Sequence, residues 1–147
     1  MELKIRRLRH NARIPKYATP GSACFDLCSA QEEVKLVREG GPLIFNTGLA
    51  FEVPENHVML IFSRSGHGFN DDVRLANCVG IIDSDYRGEV KVKLTNDPSP
   101  KWGGFLVKEG DRIAQAMVIP VERAEFILCD ELTETKRAIG GFGSTGA

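Results

Sequence analysis

Val90, Val92 and Leu94 alternate with Lys91 and Lys93. A repeat of two fits an extended strand with one dry face and does not fit a helix. The same parity recurs in Leu3 and Ile5 against Lys4 and Arg6, and Ile113, Met117 and Ile119 share one parity. Residues 43–51, 57–62 and 124–128 are short runs rich in strand formers. No segment keeps an apolar period of 3.6 over three turns. Turn signals cut the runs at short intervals, among them Pro20-Gly21, Gly40-Gly41-Pro42, Pro54-Glu55-Asn56, Arg87-Gly88, Gly103-Gly104 and Glu109-Gly110-Asp111. The pattern predicts an all-β sandwich or barrel, with a surface loop over 96–104.

The 147 residues suffice for one domain with a real core. A formal net charge of −1 supplies no basic field for nucleic acid, and one Trp and two Tyr are too few for a base-stacking surface. The start, Met1-Glu2-Leu3-Lys4-Ile5-Arg6-Arg7, lacks the apolar stretch of a signal peptide, and no run reaches membrane-spanning length. A cytoplasmic protein without membrane partners is expected. The four cysteines, Cys24, Cys28, Cys78 and Cys129, form no C-x-x-C pair and lie far from the three histidines. That spacing does not suit zinc and predicts buried, reduced thiols.

Candidate chemistry falls into five clusters. Pro20 to Leu27 enters an early strand, with Asp26 facing away from Phe25 and Leu27, free to cap a turn or reach a hydrated metal. Ser63-Arg64-Ser65-Gly66-His67-Gly68 follows an apolar strand; the Arg64 fork suits phosphate, and Ser65 and Gly66 can open a turn. His67 reads as an exposed loop residue. Asn77 to Gly88 lies between two strand patterns and reads as a hairpin. Asp83, just after Ile81-Ile82, is placed for partial desolvation, which would suit a general base, although the usual explanation of an Asp-Ser-Asp run is a plain turn. In Lys108 to Gln115, Arg112 and Gln115 have opposite parity and are expected on opposite faces. The tail Gly140-Gly141-Phe142-Gly143-Ser144-Thr145-Gly146 carries four glycines in seven residues. It reads either as a frayed end or as a lid over phosphate.

In this order the clusters P-G-S-A-C-F-D-L-C-S-A, R-S-G-H-G, N-C-V-G-I-I-D-S-D-Y-R-G, G-D-R-I-A-Q and G-G-F-G-S-T-G resemble the five motifs of the trimeric deoxyuridine triphosphatase (dUTPase) family. The resemblance implies a jelly-roll-like β-barrel of the β-clip type over 1–136 and a flexible arm, 137–147, closing over a neighbouring subunit's site in a homotrimer. It implies Mg2+-dependent hydrolysis of dUTP to dUMP and diphosphate, which limits uracil incorporation into DNA and supplies dUMP for thymidylate synthesis. Asp83 matches the base that activates water for in-line attack on the α-phosphorus. Asn77, Gly80, Ile81 and Ile82 match the uracil pocket, and Tyr86 matches the ring under the deoxyribose that excludes a 2′-hydroxyl. Arg64, Ser65, Gly66, Lys91 and Gln115 match substrate-binding positions. Arg137, Phe142, Gly143, Ser144 and Thr145 match the closing arm, with Phe142 on uracil and Arg137 and the hydroxyls on the γ-phosphate. Asp26 matches the acid that approaches Mg2+ through water, with no direct protein ligand. The chain departs from the pattern at Ser63, where proline is common, at His67, where leucine is usual, and at Ala138-Ile139, which put a β-branched residue in the hinge. A deoxycytidine triphosphate deaminase of the sister family, or a nucleotide-binding regulator of the same fold, is the alternative.

Overall fold

Eleven strands and one short helix organise the described residues, which in this computed structural model are 1–38, 40–97, 104–141 and 144. All strand pairings are antiparallel. β1 (Lys4–Arg7) pairs with β5 (Leu49–Glu52), and β3 (Lys35–Val37) with β10 (Phe105–Val107). A three-stranded sheet runs in the order β4 (Leu43–Asn46), β9 (Lys91–Asn96), β7 (Val73–Leu75). A four-stranded sheet runs β2 (Phe25–Cys28), β11 (Arg112–Pro120), β6 (His57–Phe62), β8 (Val79–Ile82). The mostly-β expectation holds, with the pairings forming four sheets around one core. Phe25, Leu27, Val37, Phe45, Phe51, Met59, Val73, Leu94, Val107 and Ile113 meet there, so every sheet contributes to it. Each such side chain stabilises the fold by about 1.5–3 kcal/mol on leaving water.

Alternation places β9 as expected: Val90, Val92 and Leu94 are buried and Lys91 and Lys93 exposed. The apolar run 43–51 is not one strand. Thr47 is fully buried, donates its hydroxyl to the Val90 carbonyl at 2.7 Å and accepts from the Leu49 N–H at 3.3 Å. Gly48 follows with φ of 68°, a left-handed conformation that suits glycine. This corner sends β4 and β5 into different sheets.

Three readings of the sequence are corrected. First, residues 124–128 form no strand: 121–139 are exposed, with Phe126 at 95% and Leu128 at 99%, because nothing in the described chain pairs with them. Second, Asn77 to Gly88 is not a hairpin. β8 pairs with β6, whereas β9 pairs with β4 and β7, so the turn crosses between sheets. Third, β11 carries a register shift between Arg112 and Ala114, with Ile113 and Ala114 both fully buried. One extra residue reverses the parity beyond it. The core face continues through Ala114 and Ala116, and Met117 and Ile119 lie on the opposite face.

The cysteines are unpaired, as expected of reduced thiols. Cys78 and Cys129 are exposed and Cys24 and Cys28 half-buried rather than buried. No described helix is long and apolar enough to cross a membrane.

Candidate active site

β2 buries Phe25 and Leu27 and turns Asp26 to the other side, as the alternation requires. On the adjacent strand Gln115 stands directly opposite Asp26. The β11 bulge carries Arg112 to the same side, where its Nη1 donates to Asp26 Oδ2 at 3.2 Å. Arg112 and Gln115 therefore do not project apart as parity predicted. Arg64, at the N-cap of α1 (Ser65–Asp71), donates through Nε to Asp26 Oδ1 at 3.1 Å. Gln115 Nε2 donates to the Ser63 carbonyl at 3.0 Å, and Ser63 Oγ accepts from the Leu75 N–H at 2.9 Å. Ser65 and Gly66 form the exposed first turn of α1 beside Arg64. Three clusters separate in sequence thus close into one patch with two guanidinium groups and one carboxylate.

A second patch surrounds Asp83. The Tyr86 N–H donates to the Asp83 carbonyl at 3.2 Å, closing the turn. Ile81, Ile82, Asp83, Tyr86 and Lys91 line a hollow of about 280 Å³. Tyr86 Oη donates to the Glu89 carbonyl at 3.1 Å, and its ring lies over Gly88, where a Cβ would come within 2.6 Å of Cζ. Glu89 is itself anchored, its Oε1 accepting from the Gly48 N–H at 2.9 Å and from Arg9 Nε at 3.2 Å. β8 ends its sheet, so backbone groups on its outer edge are left to bind a flat polar partner. Asn77 Nδ2 donates to the Val79 carbonyl at 3.1 Å, shaping the entry to that edge. Gly80 faces Ile61, whose Cβ would lie 3.1 Å from an added Cβ. Asp83 is exposed, so its own chain does not provide the desolvation expected for it.

The two patches occupy opposite ends of one sheet face. Gln115 lies opposite Phe62, and Phe62 opposite Val79; three residues along, Met59 lies opposite Ile82, with Asp83 next. At about 3.4 Å per residue the Asp83 end is displaced along the strands by roughly 10–14 Å from the Gln115 end, and by two strand spacings across the sheet. Between them the outward face carries Leu60, Phe62, Met117 and Ile81, with Ile81 65% exposed.

Residues 10–146 match the family model described as dUTPase. The chain is 44% identical over 146 residues to the deoxyuridine 5'-triphosphate nucleotidohydrolase of Nautilia profundicola, covering 99% of each sequence. The chain belongs to the dUTPase family. Among solved structures it is similar to the Staphylococcus bacteriophage 80alpha dUTPase with dUPNHPP, with TM-score 0.86, 25% identity and 99% of each chain covered. It is also similar to a mutant dUTPase from phage phi11 of S. aureus, a structure described as revealing the coordination of a structural Mg(II) ion. That match has TM-score 0.78 and 25% identity, over 89% of this chain and 98% of the other.

In this dUTPase-family chain, Asp26, Arg64 and Gln115 come together, as do Ile81, Ile82, Asp83, Tyr86 and Lys91, but the two sets stay apart. Arg137 is exposed and donates Nε to the Gly140 carbonyl at 2.8 Å, and the Ser144 N–H donates to the Gly141 carbonyl at 3.0 Å. Phe142, Gly143 and Thr145 lie outside the described residues. Where the arm is expected to begin, Ala138 has φ of 44° and the Ile139 side chain is fully exposed. Sequence reasoning put Arg112 on the wrong face, because the bulge hid its direction, and passed over Glu89, because its anchors lie far off in the chain. It also placed His67 wrongly: the ring is half-buried, packs on Phe105 with centroids 4.6 Å apart and touches Arg64. No three described His, Cys, Asp or Glu side chains converge as metal ligands.

Proposed function

We propose that this chain hydrolyses dUTP to dUMP and diphosphate at a site completed by other copies of itself. One observation carries the reading: the candidate phosphate patch and the candidate base lie at opposite ends of a single sheet face, with an apolar band between them. A second copy covering that band would remove Leu60, Phe62, Met117 and Ile81 from water and set one chain's Asp83 against another's Arg64. A homotrimer of jelly-roll barrels over 1–136, with the arm 137–147 reaching a third site, satisfies this geometry. The exposed apolar residues Phe126, Ile127 and Leu128 on the approach to the arm then gain a partner as well.

In this reading Asp83 accepts a proton from the water that attacks the α-phosphorus in line, and the diphosphate leaves. Arg64, Ser65, Gly66 and Gln115 hold the phosphates and align the leaving group. The β8 edge from Asn77 to Ile82 reads the uracil face, where the amine of cytosine would oppose a donor and leave buried groups unpaired. Tyr86 and Lys91 flank the sugar and its phosphate. Arg137, Phe142, Gly143, Ser144 and Thr145 close over the bound nucleotide. Both Asp26 oxygens already accept from guanidinium groups, so the residues present fit a cation carried by the triphosphate and met through water rather than one bound directly. Mg2+ so placed would neutralise charge developing on the phosphates.

The test follows pyrophosphate and ammonia in parallel from dUTP and from dCTP, each with Mg2+. Pyrophosphate from dUTP alone is the expected result. Ammonia from dCTP would assign the chain to the deaminase reaction instead, and no turnover of either would leave a nucleotide-binding regulator.

A further inference from the structure

His67 lies three residues beyond Arg64, on the first turn of α1. Its Nε2 is 3.1 Å from Arg64 Nη1, and its ring is wedged against Phe105 of β10. A guanidinium only donates, so Nε2 accepts and the ring proton sits on Nδ1. Nδ1 is buried and has no hydrogen-bond partner. An imidazole held at that cost against an arginine is oriented by packing for the sake of Nε2. On its other side Arg64 is gripped by Asp26 Oδ1 at 3.1 Å.

We propose that His67 is a positioning residue of the phosphate patch, its Nε2 and the Asp26 carboxylate clamping the Arg64 guanidinium from two sides so that Nη2 is aimed at the triphosphate. This rests on the dUTP reading for its substrate and on the observed contacts for its geometry. Unclamped, an arginine head samples many rotamers, and that freedom must be lost again on binding. The clamp works only with a neutral ring. Burial, then the Arg64 charge, pushes the imidazole below its ordinary value of 6.5, and Arg112 acts in the same direction. Asp71 of α1 and Asp111 before β11 pull it upward, more weakly than Arg64 pushes it down but more strongly than Arg112, and Phe105 contributes no charge. Protonation would turn Nε2 into a donor facing a donor and release the arginine.

The experiment compares the full-length assembled protein with His67→Leu and His67→Gln, at pH 7.5 and at pH values stepping down to about 5. Leucine keeps the packing on Phe105 and removes the acceptor; glutamine restores an acceptor that does not titrate. For pyrophosphate release from dUTP, His67→Leu is expected to raise KM about 3- to 10-fold at pH 7.5, the range of one hydrogen bond, with kcat changed less than about twofold. His67→Gln should return KM to within about twofold of the parent. Below pH 6.5 the parent's KM should rise toward that of His67→Leu, while that of His67→Gln rises only as the substrate's own phosphate titrates, near about pH 6. Parent KM in His67→Leu, or no rescue by glutamine, overturns the clamp. Calorimetry with inorganic triphosphate gives the same comparison without turnover. If the parent releases no pyrophosphate from dUTP, the functional reading fails, yet a 3- to 10-fold weaker triphosphate affinity in His67→Leu still upholds the clamp and an unchanged one sinks it.

Discussion

Where the Tyr86 ring lies is decided two residues away, at Gly88. The ring is folded back onto that backbone, its hydroxyl tied to the Glu89 carbonyl, and a Cβ at 88 would overlap Oη and Cζ. Tyr86 is 44% exposed, so an added methyl would swing the ring outward instead of breaking the fold. Gly88→Ala should therefore fold normally and lower the dUTP-over-UTP ratio of kcat/KM by about 10-fold or more, the scale of one steric contact. An unchanged ratio would separate Tyr86 from sugar selection. Asp83 has a different dependence on its surroundings. Its exposed carboxylate makes no hydrogen bond or ion pair among the described residues, so Asp83→Asn should leave folding intact. Turnover should fall by about 10²–10⁴-fold, the range for a lost general base, while calorimetry still detects nucleotide binding. Full turnover in Asp83→Asn would remove the base assignment.

Among the elements, those whose partners lie in the same sheet were legible from sequence, and those fixed by distant contacts were not. Val90, Val92 and Leu94 announced β9 because one face of that strand is dry and the other wet. In β11 the same rule failed at Ile113-Ala114: two adjacent buried residues mark a bulge, and parity counted across it put Arg112 and Gln115 on opposite faces. Residues 124–128 have strand composition, but composition cannot supply a pairing partner. The candidate site residues could be nominated as types from sequence, because the Arg64 fork and the Asp83 carboxylate each suit one kind of chemistry. The two separate groups they form depend on sheet order, which alternation does not encode. The β4–β5 corner offers a test at this scale. A Cβ on Gly48 would lie 2.7 Å from Ala12 Cβ and 3.2 Å from Ala30 Cβ, at φ of 68°. Neither neighbour has a flexible end that can move aside, so Gly48→Ala should cost about 2–4 kcal/mol through overpacking and a left-handed alanine. Thermal melting should fall by roughly 6–16 °C. A melting temperature within a degree or two of the parent would show that the corner relaxes freely.

At the scale of the molecule, Asp83 and Arg64 lie at opposite ends of one sheet face, and the proposed site needs both. If each site takes its base from one copy and its phosphate patch from another, two inactivating substitutions in different chains can compensate. Asp83→Asn and Arg64→Ala are each expected to be nearly inactive as pure assemblies. Denatured together in equal amounts and refolded, the two chains combine at random. Each site then has one chance in two of an intact base and, independently, one in two of an intact patch, so about a quarter of sites should recover. The same proteins refolded separately and then mixed should stay inactive unless subunits exchange, which makes recovery depend on co-assembly. If Asp83 and Arg64 instead served one site within a chain, through a rearrangement that closes the gap of roughly 10–14 Å along the strands, no pairing of the two variants would restore turnover. Activity near one quarter of the parent after co-refolding, set against none, thus decides whether the apolar band between the patches is the seam along which the active site is assembled.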